Sequence, residues 1–519
     1  MRIRTRIRTG PLLILIFCLS GASALAFQVL WKRQLTLLLG GSAIAVSTIL
    51  ATFMGGLGLG GWLGGRLADR VKQPLRYYAL AELLVGVSAL ATPFLLSVSG
   101  SVYLGLYDAF GGDRTGVTMS RAISAGIILL VPTTLMGATL PFMARFYIRR
   151  IDTLGRGLGS LYGINIFGGV LGAALTGYYV ILAVGVWNTF LLAVAVSLVA
   201  SLAAFALSFV RVEPGDSGAQ AVPAADASSG RTEPAVGSTV RRAPPAPGPA
   251  GPSLLLPLTL AAFFISGFTG LAYEVLWTRA LQFAIGSSVF AFTTVLVVFL
   301  LGLFLGSVLA GRIADRLESP LGFVGWVQLL GGATMVAAFF FVDNLPHLTK
   351  IVVDQLGAGN VFADAVTKIV PTAAVLIVPT VLLGFSFPIL MKTRADHLST
   401  LGRRLGVAYA INTAGAILGS LLAGYMLLPA IGLTKSIYAI ALLNVLMAMA
   451  LFASAAGFSQ RRILVPATGI AAVALVTGIV LVDPRPLVEN LAVVQEGETE
   501  TLYYEEGHAA TVAVLREET

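Results

Sequence analysis

Residues 20–34, SGASALAFQVLWKRQ, reappear at 266–280 as SGFTGLAYEVLWTRA, with eight identities in fifteen at an offset of 246. A fixed-period match of that density marks an internal repeat. The same offset pairs GGRLADR (64–70) with AGRIADR (310–316), and Pro74-Leu75 with Pro320-Leu321. After one inserted residue, PTTLMGATLP (132–141) matches PTVLLGFSFP (379–388), and GRGLGSLYGINIFGGVLG (155–172) matches GRRLGVAYAINTAGAILG (402–419) at ten of eighteen positions.

Composition says what kind of unit is repeated. Of 519 residues 57% are hydrophobic and 11% charged, with a mean hydropathy of +0.88; a soluble domain carries roughly 25% charged residues. The chain therefore reads as a polytopic membrane protein. A single cysteine, Cys18, excludes a disulfide framework and a thiolate cluster, and three histidines leave little for zinc. The net charge of +9 sits in short clusters between apolar runs, so membrane topology explains it and nucleic acid is not a partner.

A hydrocarbon core about 30 Å thick needs about 20 apolar residues per helix. Thirteen such runs are predicted, at 11–31, 38–63, 77–99, 121–144, 158–181, 187–210, 254–277, 283–309, 321–342, 368–390, 405–430, 434–457 and 464–482. The runs at 38–63 and 283–309 exceed the minimum and are expected to tilt or protrude. The expected fold class is an all-α polytopic membrane protein: two parallel six-helix repeats (1–211 and 253–458), one extra helix (459–482) and a short C-terminal β segment within 483–519. An even number of helices per repeat gives both copies the same orientation, related by an axis along the membrane normal.

With the arginine-rich start inside, alternation puts about 24 of the 34 basic residues on the cytoplasmic side, as the positive-inside rule asks. Segment 212–252, rich in Pro, Ala, Gly and Ser, reads as a disordered cytoplasmic linker. Thirteen crossings place the tail 483–519 outside. The four N-terminal arginines, PLLILIFCL and Ala24-Leu25-Ala26 also imitate a cleavable signal peptide, but the same stretch recurs after the linker, which favours a helix of the repeat. In the tail, LYYEE (502–506) and ATVAVL (510–515) read as two strands joined by a turn.

GGRLADR and AGRIADR fall between the second and third helices of each half, where the major facilitator superfamily carries a Gly-x-x-x-Asp-Arg loop motif, and the chain resembles that superfamily. The matching residues are Gly65, Asp69 and Arg70, then Gly311, Asp315 and Arg316. The basic tail usual after the motif is missing, since VKQPL and LESPL follow. The chain is also similar to bacterial membrane proteins in which a facilitator-like bundle is fused to a spermidine-synthase-like domain. That resemblance rests on the repeated Leu-Ala-x-x-Val-Leu-Trp-x-Arg around Trp31 and Trp277, on Tyr162/Asn165/Gly168 with Tyr409/Asn412/Gly415, and on Glu506-Gly507 with Ala510, Thr511, Val512 and Val514. It implies the bacterial inner membrane, polyamines or other small cationic solutes as cargo, and an aminopropyltransferase-like domain as partner. No glycine fingerprint or aminopropyl-transfer loop follows the two strands, so no catalytic residue, cofactor or metal is assigned to these residues.

Ionisable groups within lipid are functional candidates by default. Glu82 lies in the third span, with Gln328 at the equivalent position; Glu274 lies near the outer end of the seventh, with Gln28 as its counterpart. Asn165 and Asn412 fall at equivalent mid-membrane positions. These six are the pathway candidates, and Asp69, Arg70, Asp315 and Arg316 are the gating-loop candidates. Bland readings compete: Glu82 paired to Arg66 or Arg70, Glu274 paired to Arg279, the asparagines as interhelical ties, the tyrosines and tryptophans as anchors or packing. Gly56 to Gly61 satisfies the dinucleotide pattern, but inside a membrane helix it reads as close helix packing. Two functions follow: a secondary transporter, or a membrane scaffold for an aminopropyltransferase-like domain. A transporter requires a polar cavity joining Asn165, Asn412 and Glu82, and a scaffold a dry midplane.

Overall fold

The structure is a computed structural model that describes residues 9–39, 43–109, 114–150, 153–209, 255–285, 289–356, 361–394, 397–455, 458–481, 499–506 and 511–517. The segment 212–252 and the turn at 507–509 lie outside the described residues. In the first half, α1 (Thr9–Leu39), α2 (Ala43–Ala68), α3 (Pro74–Ala109), α4 (Arg114–Tyr147), α5 (Leu154–Leu175) and α6 (Ile181–Leu207) follow one another. The second half holds α7 (Leu255–Ile285), α8 (Val289–Ile313), α9 (Pro320–Phe340), α10 (Leu345–Leu356), α11 (Val361–Lys392), α12 (Leu401–Leu422) and α13 (Leu428–Ala455). Then come α14 (Phe458–Leu481) and an antiparallel strand pair, β1 (Thr499–Glu506) and β2 (Thr511–Glu517), in which Glu506 stands opposite Thr511.

Ten stretches are long and apolar enough to cross a membrane, against thirteen expected runs. The difference lies in α2, which is outside that count, and in two double-length stretches, Leu154–Leu207 and Leu398–Ser454, of 54 and 57 residues. At about 1.5 Å per residue each exceeds twice a ~30 Å core. Each is broken where the sequence divides it: Gly185 and Gly432 hold φ of +79° and +75°, outside the right-handed region that an L side chain prefers. A π-helical turn precedes each break, Thr176–Val180 and Ala423–Leu427. Large apolar side chains cover the outside, among them Phe94, Ile127 and Leu202, at 69%, 65% and 67% exposed. Water would not tolerate such a continuous apolar surface, and the chain is a multi-pass membrane protein.

Several boundaries differ from the sequence expectation, and α3 (Pro74–Ala109), α4 (Arg114–Tyr147) and α11 (Val361–Lys392) all outrun their apolar cores. The first helix runs to Leu39 rather than ending near 31, carrying the polar WKRQ with it, so the second starts at Ala43 instead of 38 and keeps a length of 26 residues. The seventh likewise runs to Ile285 and displaces α8 to Val289. Helix continuation buries Trp31 and Trp277, and that packing outweighs the local polarity. The short amphipathic α10 has no counterpart among the predicted elements.

Within the first half α2 packs on α4, α5 on α1, and α3 on both α4 and α6; within the second α11 packs on α8, α12 on α7, and α13 on α9. The halves meet chiefly along α2 with α12 and α5 with α8. Small residues permit this approach. A methyl at Gly168 would sit 1.9 Å from the Cys18 carbonyl oxygen, and one at Gly65 would sit 2.4 Å from the Gly402 carbonyl oxygen. The dinucleotide-like glycines of α2 serve the same packing, Gly60 against the Thr134 carbonyl. Helix α14 packs on α13, where Gly478 meets the Tyr438 ring, and leaves Ile470 and Leu481 72% and 75% exposed.

Candidate functional site

Glu82 is buried between α1, α3 and α6. Ser20 donates a short hydrogen bond to its Oε1, and Ser197 donates to Oε2 at 3.1 Å and to the Glu82 backbone carbonyl at 3.0 Å. Tyr78, wholly buried one turn earlier on α3, lies against the same carboxyl. The expected pairing with Arg66 or Arg70 does not occur: Arg66 stacks on Trp62, its guanidinium 3.6 Å from the ring centre, and Arg70 is exposed. Two hydroxyls therefore do what a distant arginine would otherwise do, because donors on neighbouring helices reach the carboxyl without leaving the membrane.

The repeat places a second polar knot in the other half. Ser20, Glu82 and Ser197 correspond to Ser266, Gln328 and Asn444. Gln328 Nε2 donates to Ser266 Oγ at 2.7 Å, while Gln328 Oε1 and both amide atoms of Asn444 are buried without a hydrogen-bond partner. The triads thus share a scaffold but differ in chemistry: one is an acid held by hydroxyls, the other an amide pair with spare hydrogen-bonding capacity. Ser20 and Ser197 escaped the sequence reading, although the offset of 246, and of 247 after the inserted residue, links each serine to a polar residue.

Asn165 and Asn412 tie helices within their own halves. Asn165 Nδ2 donates to the Phe17 carbonyl of α1 at 3.1 Å, and Asn412 Nδ2 to the Phe263 carbonyl of α7 at 2.9 Å. Neither amide is among the hydrogen-bond partners of Glu82, which are Ser20 and Ser197. Between the asparagine helices lie rings: Tyr162 stacks on Phe387 at 5.0 Å, and Tyr409 meets Phe387 edge-on at 6.1 Å. Glu274 and Gln28 are both buried on α7 and α1, and Glu274 Oε1 has no hydrogen-bond partner. Trp31 and Trp277 are packing residues rather than interface anchors, at 1% and 0% exposed. The Trp31 indole donates to Thr92 Oγ1 at 2.9 Å; in the second half Ala338 replaces that threonine and the Trp277 indole goes unpartnered.

The loop motifs bring the halves together. Asp69, in the α2–α3 turn, accepts from the Gly402 and Arg403 amides at 2.9 and 2.8 Å, capping α12 of the opposite half. Asp315, after α8, accepts from the Gly155 and Arg156 amides at 2.9 and 3.0 Å, capping α5. Each carboxylate takes amides of the first helical turn, where orphan N–H groups and the helix dipole favour an anion. Neither capped helix has a side-chain cap of its own, although Thr153 and Thr400 stand at the N-cap positions. Arg145 lies 3.7 Å from Asp69, while Arg70 and Arg316 are exposed and touch neither carboxylate. At the other end of the same helices, Tyr425 and Thr48 hydroxyls lie 2.7 Å apart across the halves, Tyr178 bonds Thr294, and Lys32 sits 4.7 Å over the Phe292 ring. Buried Lys32 was not among the residues singled out, because the apolar run around it looked finished at Trp31.

No family model matches the chain, and no curated protein matches it. Its fold is shared with solved transporters. A bacterial homologue of the iron transporter ferroportin, in an outward-facing state with soaked iron, superposes with a TM-score of 0.51 at 13% identity, over 87% of this chain and 100% of that one. The same homologue in an outward-facing state gives 0.50 at 15% identity, again over 87% and 100%. The human organic anion transporter MFSD10 (TETRAN) gives 0.50 at 12% identity, over 86% and 100%. These likenesses give the chain a major-facilitator-like fold.

Proposed function

We propose that the protein is a secondary transporter that moves a small solute by alternating access, its two six-helix halves related by rotation about the membrane normal. The observation that carries this reading is the reciprocal pair of caps, Asp69 on α12 and Asp315 on α5, at one end of the molecule. A different set of contacts, Thr48 with Tyr425 and Tyr178 with Thr294, joins the halves at the other end. Rocking one half against the other breaks one set while keeping its opposite. The caps suit such a latch, since an exposed helix N-terminus can exchange a carboxylate for water at a cost of about 1 kcal/mol.

Glu82 is the proton-carrying candidate, with its hydroxyl partners on α1 and α6. For the cargo, polyamines follow from the family resemblance alone. A second reading, a membrane scaffold for an aminopropyltransferase-like domain, draws on the rings of Tyr162, Phe387 and Tyr409 packed between the halves. Uptake experiments separate the two. A Thr48→Cys/Tyr425→Cys pair in a Cys18→Ser background, cross-linked in proteoliposomes, should abolish solute uptake, and reductant should restore it. A panel of labelled polyamines, organic anions and neutral solutes with no uptake by the uncross-linked protein sinks the transporter reading.

A further inference from the structure

At the Asp69 end a cavity of about 330 Å³ opens between the α2–α3 turn, the end of α4 and the approach to α12. Lys72, Arg145 and Arg149 line it, and Val71, Phe146 and Leu398 supply apolar wall. Leu398 belongs to the second half, so the wall spans both. Lys72 and Arg149 are exposed, and among the described residues neither has an acidic side chain within ion-pair distance. Arg145 lies 3.7 Å from Asp69, but that carboxylate is already held by two amides. Three cations face one engaged anion, and their mutual repulsion works against the closed arrangement unless something neutralises it.

The duplication provides an internal comparison. At the positions equivalent to Lys72 and Arg149 the second half carries Glu318 and Asp396, the latter outside the described residues; Lys392 replaces Arg145. Glu318 is exposed, and Lys392 Nζ donates to the Ala314 carbonyl at 2.7 Å. An acid is thus compatible with the same place in the same scaffold, so folding does not demand the two cations. They are surplus to the architecture and concentrated in one copy only.

We propose that this pocket binds a phosphate group, and that its counterpart in the second half does not. Guanidinium groups hold phosphate oxygens through paired charge-assisted hydrogen bonds, and a lysine adds a point charge. Basic pockets between helix ends are places where phospholipid headgroups dock, and the apolar wall of Val71, Phe146 and Leu398 suits the glycerol and first methylenes of a lipid. Free phosphate offers the same chemistry without using that wall. Because the cavity touches both halves beside the Asp69 cap, its occupant stabilises the closed state of this end.

The test uses the full chain purified in detergent and stripped of lipid. Titration with dioleoylphosphatidylglycerol, followed by native mass spectrometry, should show binding weakened about tenfold in Lys72→Gln/Arg149→Gln. Arg312→Gln/Arg461→Gln, which removes equal charge from exposed positions outside the pocket and the cap, should stay within about twofold of wild type. The charge-preserving Lys72→Arg/Arg149→Lys should retain binding. In a parallel melt, stabilisation of wild type by inorganic phosphate, lost in the glutamine pair, assigns a free phosphate; a response to lipid alone assigns the headgroup. Equal binding by wild type and the glutamine pair, equal loss in the control pair, or loss in the charge-preserving pair overturns the proposal.

Discussion

Glu82 shows how one carboxyl is made compatible with a membrane interior. Its oxygens accept from Ser20 and Ser197, and each hydrogen bond to a charged or polarised carboxyl is worth about 1.5–3 kcal/mol when both partners are buried. Glu82→Gln keeps the shape and copies the residue that the second half uses at Gln328, so it should melt within about 1 kcal/mol of wild type. Glu82→Ala strips Ser20 of its acceptor and leaves Ser197 only the residue-82 backbone carbonyl, and it should cost about 1–3 kcal/mol. In transport the prediction is sharper: Glu82→Gln abolishes uptake driven by a pH gradient and leaves exchange between equal pools largely intact. Unchanged pH dependence in proteoliposomes removes Glu82 from the mechanism. The same scale applies to the caps. Asp69→Asn and Asp315→Asn should each loosen the latch by about 1 kcal/mol, read as faster maleimide labelling of a cysteine placed at Ala68.

At the scale of elements, glycine performs two separable tasks. Gly185 and Gly432 supply a backbone conformation, whereas Gly168 supplies room. A methyl at Gly185 meets nothing within 4 Å, so Gly185→Ala should cost only the strain of a positive-φ, extended backbone that L side chains rarely adopt, about 1–3 kcal/mol. Gly168→Ala instead drives a methyl to 1.9 Å from the Cys18 carbonyl oxygen and must separate α1 from α5. Its loss should exceed that of Gly185→Ala and should also weaken the Asn165 bond to Phe17, since that bond spans the same pair of helices. Thermal melts of the two variants in one detergent compare the tasks directly, and equal losses refute the distinction.

For the whole molecule, the offset of 246 to 247 residues recurs in three dimensions. Asn165 and Asn412 donate to carbonyls at equivalent places, Asp69 and Asp315 cap helices of opposite halves, and the glycine breaks fall at equivalent positions. The proposed rotation predicts that the halves superpose with Trp31 over Trp277 and Asn165 over Asn412. A best superposition that pairs other helices, or needs an inverted axis, removes the parallel arrangement. The tail gives an independent topological test. A cysteine at Ala509 in a Cys18→Ser background should react with impermeant maleimide in intact spheroplasts, and labelling only after lysis refutes an external tail.

What the sequence determines by itself is local and periodic. Apolar runs define the spans because lipid admits only helices whose backbone is internally satisfied, and the repeated Gly, Asn and Trp positions survive duplication as recognisable letters. The breaks at Gly185 and Gly432 were likewise legible as gaps between runs, and the Asp69 and Asp315 motifs as loop elements. Which side chains meet is a different matter. Ser20 and Ser197 stand 62 and 115 residues from Glu82, and Gly402 stands 333 residues from Asp69. Only the packing of α1, α3 and α6 made Glu82 a hydroxyl-bound acid instead of an arginine partner. Only the apposition of the halves turned two loop aspartates into caps for each other's helices, because helix N-termini attract any anion within reach and the tertiary fold decides which anion that is.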